Sequence, residues 1–275
     1  MKHDPHFERL MTLVLGAFSP PPGIVRIILA LILGITVHTL FTAAVIAMMV
    51  AMYFGMSRSL GAVPWPYAGA ANFALIVQFP LMHSLLLTQR GGRVLAKLAP
   101  GGHGATLSTT TYAIIASLQL LLLFACWTPS GIVWWRAEGT MLTLCLTAYA
   151  FAWLLLIKAT YDAGMDVQSG ALGWLSLLQK IKPRYPDMPH TGLFRVIRQP
   201  IYVAFALTLW TVPIWTPDQL ALAIMLTAYC LIAPILKERR LQQRYGARFL
   251  KYKDSVPYAI PALTKDRSDG KHQAQ

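Results

Sequence analysis

Gly-Leu-Phe-Arg-Val-Ile-Arg-Gln-Pro-Ile-Tyr (192–202) opens the stretch whose reading decides the fold. Apolar sequence follows twice, interrupted by Trp215, Thr216 and Pro217, and the chain then reaches Lys-Glu-Arg-Arg-Leu (237–241). Behind it stand Arg-Tyr-Gly-Ala-Arg-Phe-Leu-Lys-Tyr (244–252) and Val-Pro-Tyr-Ala-Ile-Pro (256–261). Two short apolar segments joined by so tight a turn read as a helical hairpin in a membrane, with charge gathered at one end. That arrangement predicts that Arg198 and Glu238 lie close together, although forty residues separate them. A site built there is half in lipid and half in water.

The composition agrees. With 56% hydrophobic and 13% charged residues and a mean hydropathy of +0.50, the 275-residue chain is too apolar for an ordinary soluble domain. Apolar runs of about 20 residues span the hydrocarbon core, and six crossings are read at 27–54, 67–87, 109–127, 140–160, 200–214 and 217–236. The fold expected is all-α and polytopic, about six transmembrane helices ending in a hairpin and a cytoplasmic tail. No cleavable leader is read in residues 1–22, which carry Asp4, Glu8 and three consecutive prolines, so the first span serves as its own signal-anchor.

Charge sets the orientation. Arg9 and Arg26 precede the first span, Arg90, Arg93 and Lys97 follow the second, and Lys180, Lys182, Arg184, Arg195 and Arg198 lie between the fourth and fifth. The opposite loops hold only Arg58 and Arg136. The positive-inside rule then places both termini in the cytoplasm, as for a multi-pass protein of a bacterial inner membrane. The formal charge of +13 is read as this bias plus attraction to anionic lipid, so membrane lipids are the expected partners and nucleic acid is not. Cys126, Cys145 and Cys230 fall within spans without ligand spacing, and no HExxH, Cys-x-x-Cys or phosphate-binding glycine motif occurs, so no metal is expected.

Three regions follow. Residues 1–165 form a four-span scaffold, 166–261 hold an interfacial connector, the hairpin and a basic tail studded with tyrosines, and 262–275 read as a disordered end. Within the connector, 171–181 is apolar with a basic end and is expected to lie on the cytoplasmic leaflet as an amphipathic helix.

The order of motifs in the last third resembles integral membrane methyltransferases of the isoprenylcysteine carboxyl methyltransferase superfamily. There the pattern is Arg-His-Pro-x-Tyr-x-Gly, then Glu-Glu-x-x-Leu, then Phe/Tyr-Gly-x-x-Tyr-x-x-Tyr and Val-Pro. Here Arg198, Pro200, Tyr202, Glu238, Tyr245 and Tyr252 match, whereas Gln199 stands in place of His, Ala204 in place of Gly and Lys237 in place of the first Glu. The Gln-x-x-x-x-His-Ser element at 78–84 looks more like the methanethiol S-methyltransferase branch. The resemblance implies S-adenosylmethionine as cofactor, bound by Arg198, Gln199, Pro200, Tyr202, Glu238, Tyr245 and Tyr252, with the tail folding back to close the pocket. A small thiol or other lipid-soluble molecule is the implied substrate, with Gln78 and His83 on its side.

The residues carry blander readings as well. Arg195 and Arg198, three apart on one face of a helix entering the membrane, would serve equally to reach headgroup phosphates. Pro200 at a first helical turn costs no hydrogen bond, and an arginine beside that helix's positive end suits a carboxylate. Glu238 could simply pair with its basic neighbours, Tyr245, Tyr252 and Tyr258 could form an interfacial belt, and Gln78, His83 and His38 could be satisfied polar groups inside the bundle. No catalytic side chain is assigned, because methyl transfer from a sulfonium needs positioning more than acid–base machinery. The leading reading is methylation of methanethiol to dimethyl sulfide. Methylation of a lipid amine or lipidated carboxylate, or a silent membrane assembly protein on the same fold, are the alternatives.

Overall fold

The computed structural model describes residues 5–261, and the predicted disordered end lies outside them. The chain is all-α and polytopic. Its helices are α1 (Pro5–Gly16), α2 (Ile24–Tyr53), α3 (Tyr67–Leu86), α4 (Gln89–Leu98), α5 (Gly104–Ala125), α6 (Gly139–Asp162), α7 (Met165–Gln168), α8 (Ala171–Gln179), α9 (Pro200–Trp210), α10 (Pro217–Tyr245) and α11 (Ala247–Ser255). Among the described residues five of them, α2, α3, α5, α6 and α10, are long and apolar enough to cross a membrane. Four match their predicted spans to within a few residues.

The hairpin departs from its prediction at both arms. The first arm, expected over 200–214, is a helix only to Trp210; its 11 residues rise about 16 Å, roughly half of a hydrocarbon core. Pro213 has no N–H to continue the helix, and Ile214–Trp215 instead forms a two-residue strand, β2, antiparallel to β1 (Trp135–Arg136). The second arm runs nine residues past its expected end, because Lys, Glu, Arg, Leu and Gln after Leu236 are good helix formers. It stops at Gly246, whose φ of 52° suits glycine. Lys237 and Glu238 are therefore helical and rigidly placed.

The end of the bundle opposite the tail is knit by polar contacts. Thr216 caps α10 by accepting from Gln219 N and donates its own hydroxyl to Gly55 O. Asp218 accepts from Trp127 Nε1 and from Ser130. Beneath them lies the main apolar core, in which Met52, Phe124, Leu209, Leu222 and Leu226 are fully enclosed.

Helix α8 is not the one-sided amphipathic helix expected. It packs between α2 and α5, with seven of its nine residues buried. Leucines and a tryptophan stand on every side of it, and a helix apolar all round belongs inside a bundle. Small residues make the room: a methyl added at Gly34 would lie 2.8 Å from the Trp174 ring, and one at Gly170 2.6 Å from Ala113. The Thr110 hydroxyl on α5 donates to Gly170 O and accepts from Trp174 N, bridging the first turn of α8. His38 is likewise a packing residue, accepting from Trp174 Nε1 at 3.2 Å.

Candidate functional site

Arg195 and Arg198 do not share a helix face. Gly192–Arg195 is a single 3₁₀ turn, and Arg195 points outward, exposed. After it the chain leaves helical geometry until Pro200 begins α9. Residues with free N–H groups in such a segment need acceptors, and the tail supplies them. Arg198 N donates to Pro257 O at 2.9 Å and Gln199 N to Tyr258 O at 3.1 Å. The segment after α11 thus folds back onto the entrance of α9. Tyr252 pins it by donating to Phe194 O at 2.7 Å, and Phe249 is buried beneath. Burial pushes the Tyr252 phenol up to about 12, which keeps it a neutral donor. Outside this contact, Arg248 on α11 pairs with Asp187 of the connector and holds its carboxyl below the ordinary value.

The four side chains of the two charged motifs meet under that fold-back. Arg198 Nε donates to Glu238 Oε1 at 2.9 Å, and Gln199 Nε2 donates to the same oxygen at 2.8 Å. Lys237 Nζ donates to Gln199 Oε1 at 3.3 Å and sits over the rings of Phe194 and Tyr202, 5.4 and 5.6 Å from their centroids. Arg198 Nη1 also donates to Lys253 O and Val256 O, so one guanidinium ties α9, α10 and the tail together. Gln199 is 2% exposed and Glu238 8%, so this is a nearly dry cluster in which each contact is strong.

Two polar atoms of opposite sign remain without a hydrogen-bond partner among the described residues: Arg198 Nη2 and Glu238 Oε2. A guanidinium and a carboxylate paired at 2.9 Å, each with a polar atom outside that pairing, suit a zwitterion. The α-amino acid end of S-adenosylmethionine is one, so the residues present fit that group.

Beyond Tyr202 the site continues into a cluster of aromatic rings. Tyr202 and Tyr229 stand 6.4 Å apart, and Tyr229 leads to His83, which Phe79 and Tyr112 also surround at 5.1 and 5.2 Å. His83 Nδ1 is buried and has no hydrogen-bond partner among the described residues. Gln78, one turn earlier on α3, does not join it. Its amide is spent on a reciprocal pair with Gln119 of α5, donating to Gln119 O at 2.9 Å and accepting from Gln119 Nε2 at 3.0 Å. Tyr245 lies apart from the cluster too, at the end of α10 with the Arg244 and Arg248 guanidiniums over its ring. The sequence named neither Tyr112 nor Tyr229, because an aromatic within an apolar helix carries no mark of which neighbour it will face.

No protein-family profile matches this chain, and no solved structure does. Among curated proteins it is 25% identical over 216 residues to a methanethiol S-methyltransferase of Pseudomonas deceptionensis, covering 77% of this chain and 81% of that one. It is 28% identical over 200 residues to a methanethiol S-methyltransferase of a Pseudomonas strain, covering 72% and 75%. It is also 27% identical over 184 residues to nurim of Rattus norvegicus, covering 63% and 68%. These relatives bear out the resemblance read from the sequence and are consistent with the isoprenylcysteine carboxyl methyltransferase-like membrane methyltransferases.

Proposed function

We propose that this chain methylates a small thiol such as methanethiol, using S-adenosylmethionine, at the cytoplasmic boundary of the membrane. The observation that carries the reading is the Arg198–Glu238 pair, 2.9 Å apart, next to the clustered rings of Tyr202 and Tyr229, in a chain similar to methanethiol S-methyltransferases. Arg198 receives the carboxylate of the cofactor and Glu238 its ammonium. Bound there, the sulfonium supplies an already activated methyl group.

The chain's own residues then position and desolvate. Tyr202, Tyr229, Phe79 and Tyr112 offer an apolar, water-poor compartment that takes a volatile thiol from the lipid side. The thiol must lose its proton as it attacks, and His83 Nδ1 is the buried acceptor in that compartment. The tail, pinned through Arg198 and Tyr252, covers the cluster and keeps water out. Holding the reactants together in this way is worth about 7–11 kcal/mol at the favourable limit.

A second reading has its own support. The cluster pairs internally, since Glu238 Oε1 takes two donors and Lys237 stands where the pattern has the first of its two acids. A silent membrane protein would keep such a network without binding cofactor. Two measurements separate the readings: calorimetric titration of the detergent-purified chain with S-adenosylmethionine, and headspace gas analysis of cells expressing it and fed methanethiol. Cofactor binding with release of dimethyl sulfide sustains the proposal; no heat of binding and no gas overturns it.

A further inference from the structure

A separate cleft of about 390 Å³ opens on the α2 side of the bundle, between the start of α2, the start of α5 and the end of α8. Its wall is basic. Arg26, His103, Lys180 and Lys182 line it, and no acidic residue does. Lys180 and Lys182 are exposed and make no ion pair among the described residues. Arg26 is fixed in place, its Nη1 donating to Leu177 O at 2.7 Å and so anchoring the end of α8. The first turn of the 22-residue α5 faces the cleft through Ala105 and Thr106; Thr106 N donates to His103 O, but His103 supplies no side-chain cap, so the positive end of that helix faces the cleft without a side-chain acceptor from its N-cap.

The second observation is independent of charge. Ser176 on α8 lines the same cleft, is fully buried, and its hydroxyl finds no hydrogen-bond partner among the described residues. Leaving a buried hydroxyl unmade costs about 1–3 kcal/mol, and a ligand oxygen in the cleft would satisfy it. Next to the cleft, Ile24, Val25 and Ile28 flank Arg26 on α2 and are exposed, at 69%, 77% and 49%. An apolar surface continuous with a basic, hydroxyl-bearing pocket describes one kind of molecule.

We propose that this cleft binds the phosphate group of an anionic phospholipid, whose acyl chains run down the outer face of α2. Basic pockets between membrane helices hold such headgroups through summed charge, and the Ser176 hydroxyl adds a directed bond to a phosphate oxygen. The lipid would brace α2, α5 and α8, which pack against one another, without touching the Arg198–Glu238 cluster.

The test is native mass spectrometry of the full chain in a neutral detergent, titrated separately with dioleoyl-phosphatidylglycerol, dioleoyl-phosphatidylcholine and inorganic phosphate. Phosphatidylglycerol should be retained about tenfold more tightly than phosphatidylcholine. Ser176→Ala should lose about tenfold of that affinity while its thermal midpoint holds or rises, since the substitution removes an unpaired buried hydroxyl. The surface double variant Lys180→Gln, Lys182→Gln should lose at least about tenfold and fold normally. Equal retention of the two lipids, or parental phosphatidylglycerol binding in the lysine double variant, overturns the proposal. So does displacement of phosphatidylglycerol by equimolar inorganic phosphate, which would make the site one for the free anion.

Discussion

Arg198→Ala should open the tail as well as weaken the site. The guanidinium makes three hydrogen bonds, to Glu238, Lys253 O and Val256 O, and lies 5.5 Å from the Tyr258 ring centroid. Each charge-assisted bond is worth about 1.5–3 kcal/mol, and bonds sharing one group do not add. Taking the loss at about 3 kcal/mol, the tail should detach roughly 150-fold more often. Glu238 keeps its Gln199 donor, so the bundle itself stays folded. Hydrogen exchange reads this directly, because the amides of Arg198 and Gln199 are protected only by Pro257 O and Tyr258 O. Peptides covering 194–200 and 247–258 should exchange about two orders of magnitude faster, while peptides within α2 and α5 keep parental rates. Cofactor affinity should fall with it by about ten- to a hundredfold. Parental exchange in both tail peptides would refute the reasoning, since the tail would then be held by something other than this side chain.

Three further outcomes are expected. At position 199, histidine should preserve methyl transfer and leucine should depress it about tenfold or more, because leucine strands Lys237 and takes one of the two donors from Glu238 Oε1; equal dimethyl sulfide release from all three proteins would show that the position touches nothing that matters. Acid should loosen the connector from α11: Arg248 lowers the Asp187 carboxyl, so that contact stabilises fully above the ordinary carboxylate range near pH 4 and is lost as pH falls through the lower folded value. Exchange in the peptide around Asp187 should therefore rise on acidification beyond its intrinsic rate, and Asp187→Asn should remove that dependence; the same pH profile in both proteins would count against the pair. A reporter fused after Ala259 should be active in the cytoplasm, and periplasmic activity would invert the placement of the site.

Hydropathy found the long helices because α2, α3, α5, α6 and α10 each repeat apolar residues over a bilayer's thickness. It misplaced α8 for a physical reason. Apolar character separates water from everything else, but does not separate lipid from protein, and a nine-residue apolar helix with Gly173 and Ser176 on it was equally suited to both. What decided the matter was Gly34 on α2 and Thr110 on α5, which make room and supply hydrogen bonds from 60 to 140 positions away in the chain. The end of α9 was obscured similarly, because the strand that takes over from it needs Trp135 and Arg136 as partners. At the site, charge and spacing pointed to Arg198 and Glu238 from opposite arms of one hairpin. The resemblance of the element at 78–84 groups Gln78 with His83, yet the Gln119 amide claims one and the rings of Phe79, Tyr112 and Tyr229 enclose the other.

The substitutions at 199 and 237, two departures in sequence, are a single one in space. Their side chains touch, and the glutamine spans the gap between a cation and an anion. An amide has both a donor and an acceptor. Gln199 turns its donor to Glu238 and its acceptor to Lys237, so the ammonium that replaces an acid meets an oxygen instead of a hydrogen. Lysine at 237 would leave histidine at 199 matched only in its neutral form, since a protonated ring has no acceptor for the ammonium, and glutamate at 237 with glutamine at 199 would set an oxygen against an oxygen. Each change alone leaves a nearly buried polar group poorly matched, at about 1–3 kcal/mol; together they restore the match. A coupling of that size is measurable. Lys237→Glu and Gln199→His should each destabilise the folded chain alone, and the double variant should recover most of the loss. Strict additivity across that cycle would mean that the 3.3 Å contact carries no energy and that the two departures arose independently of each other.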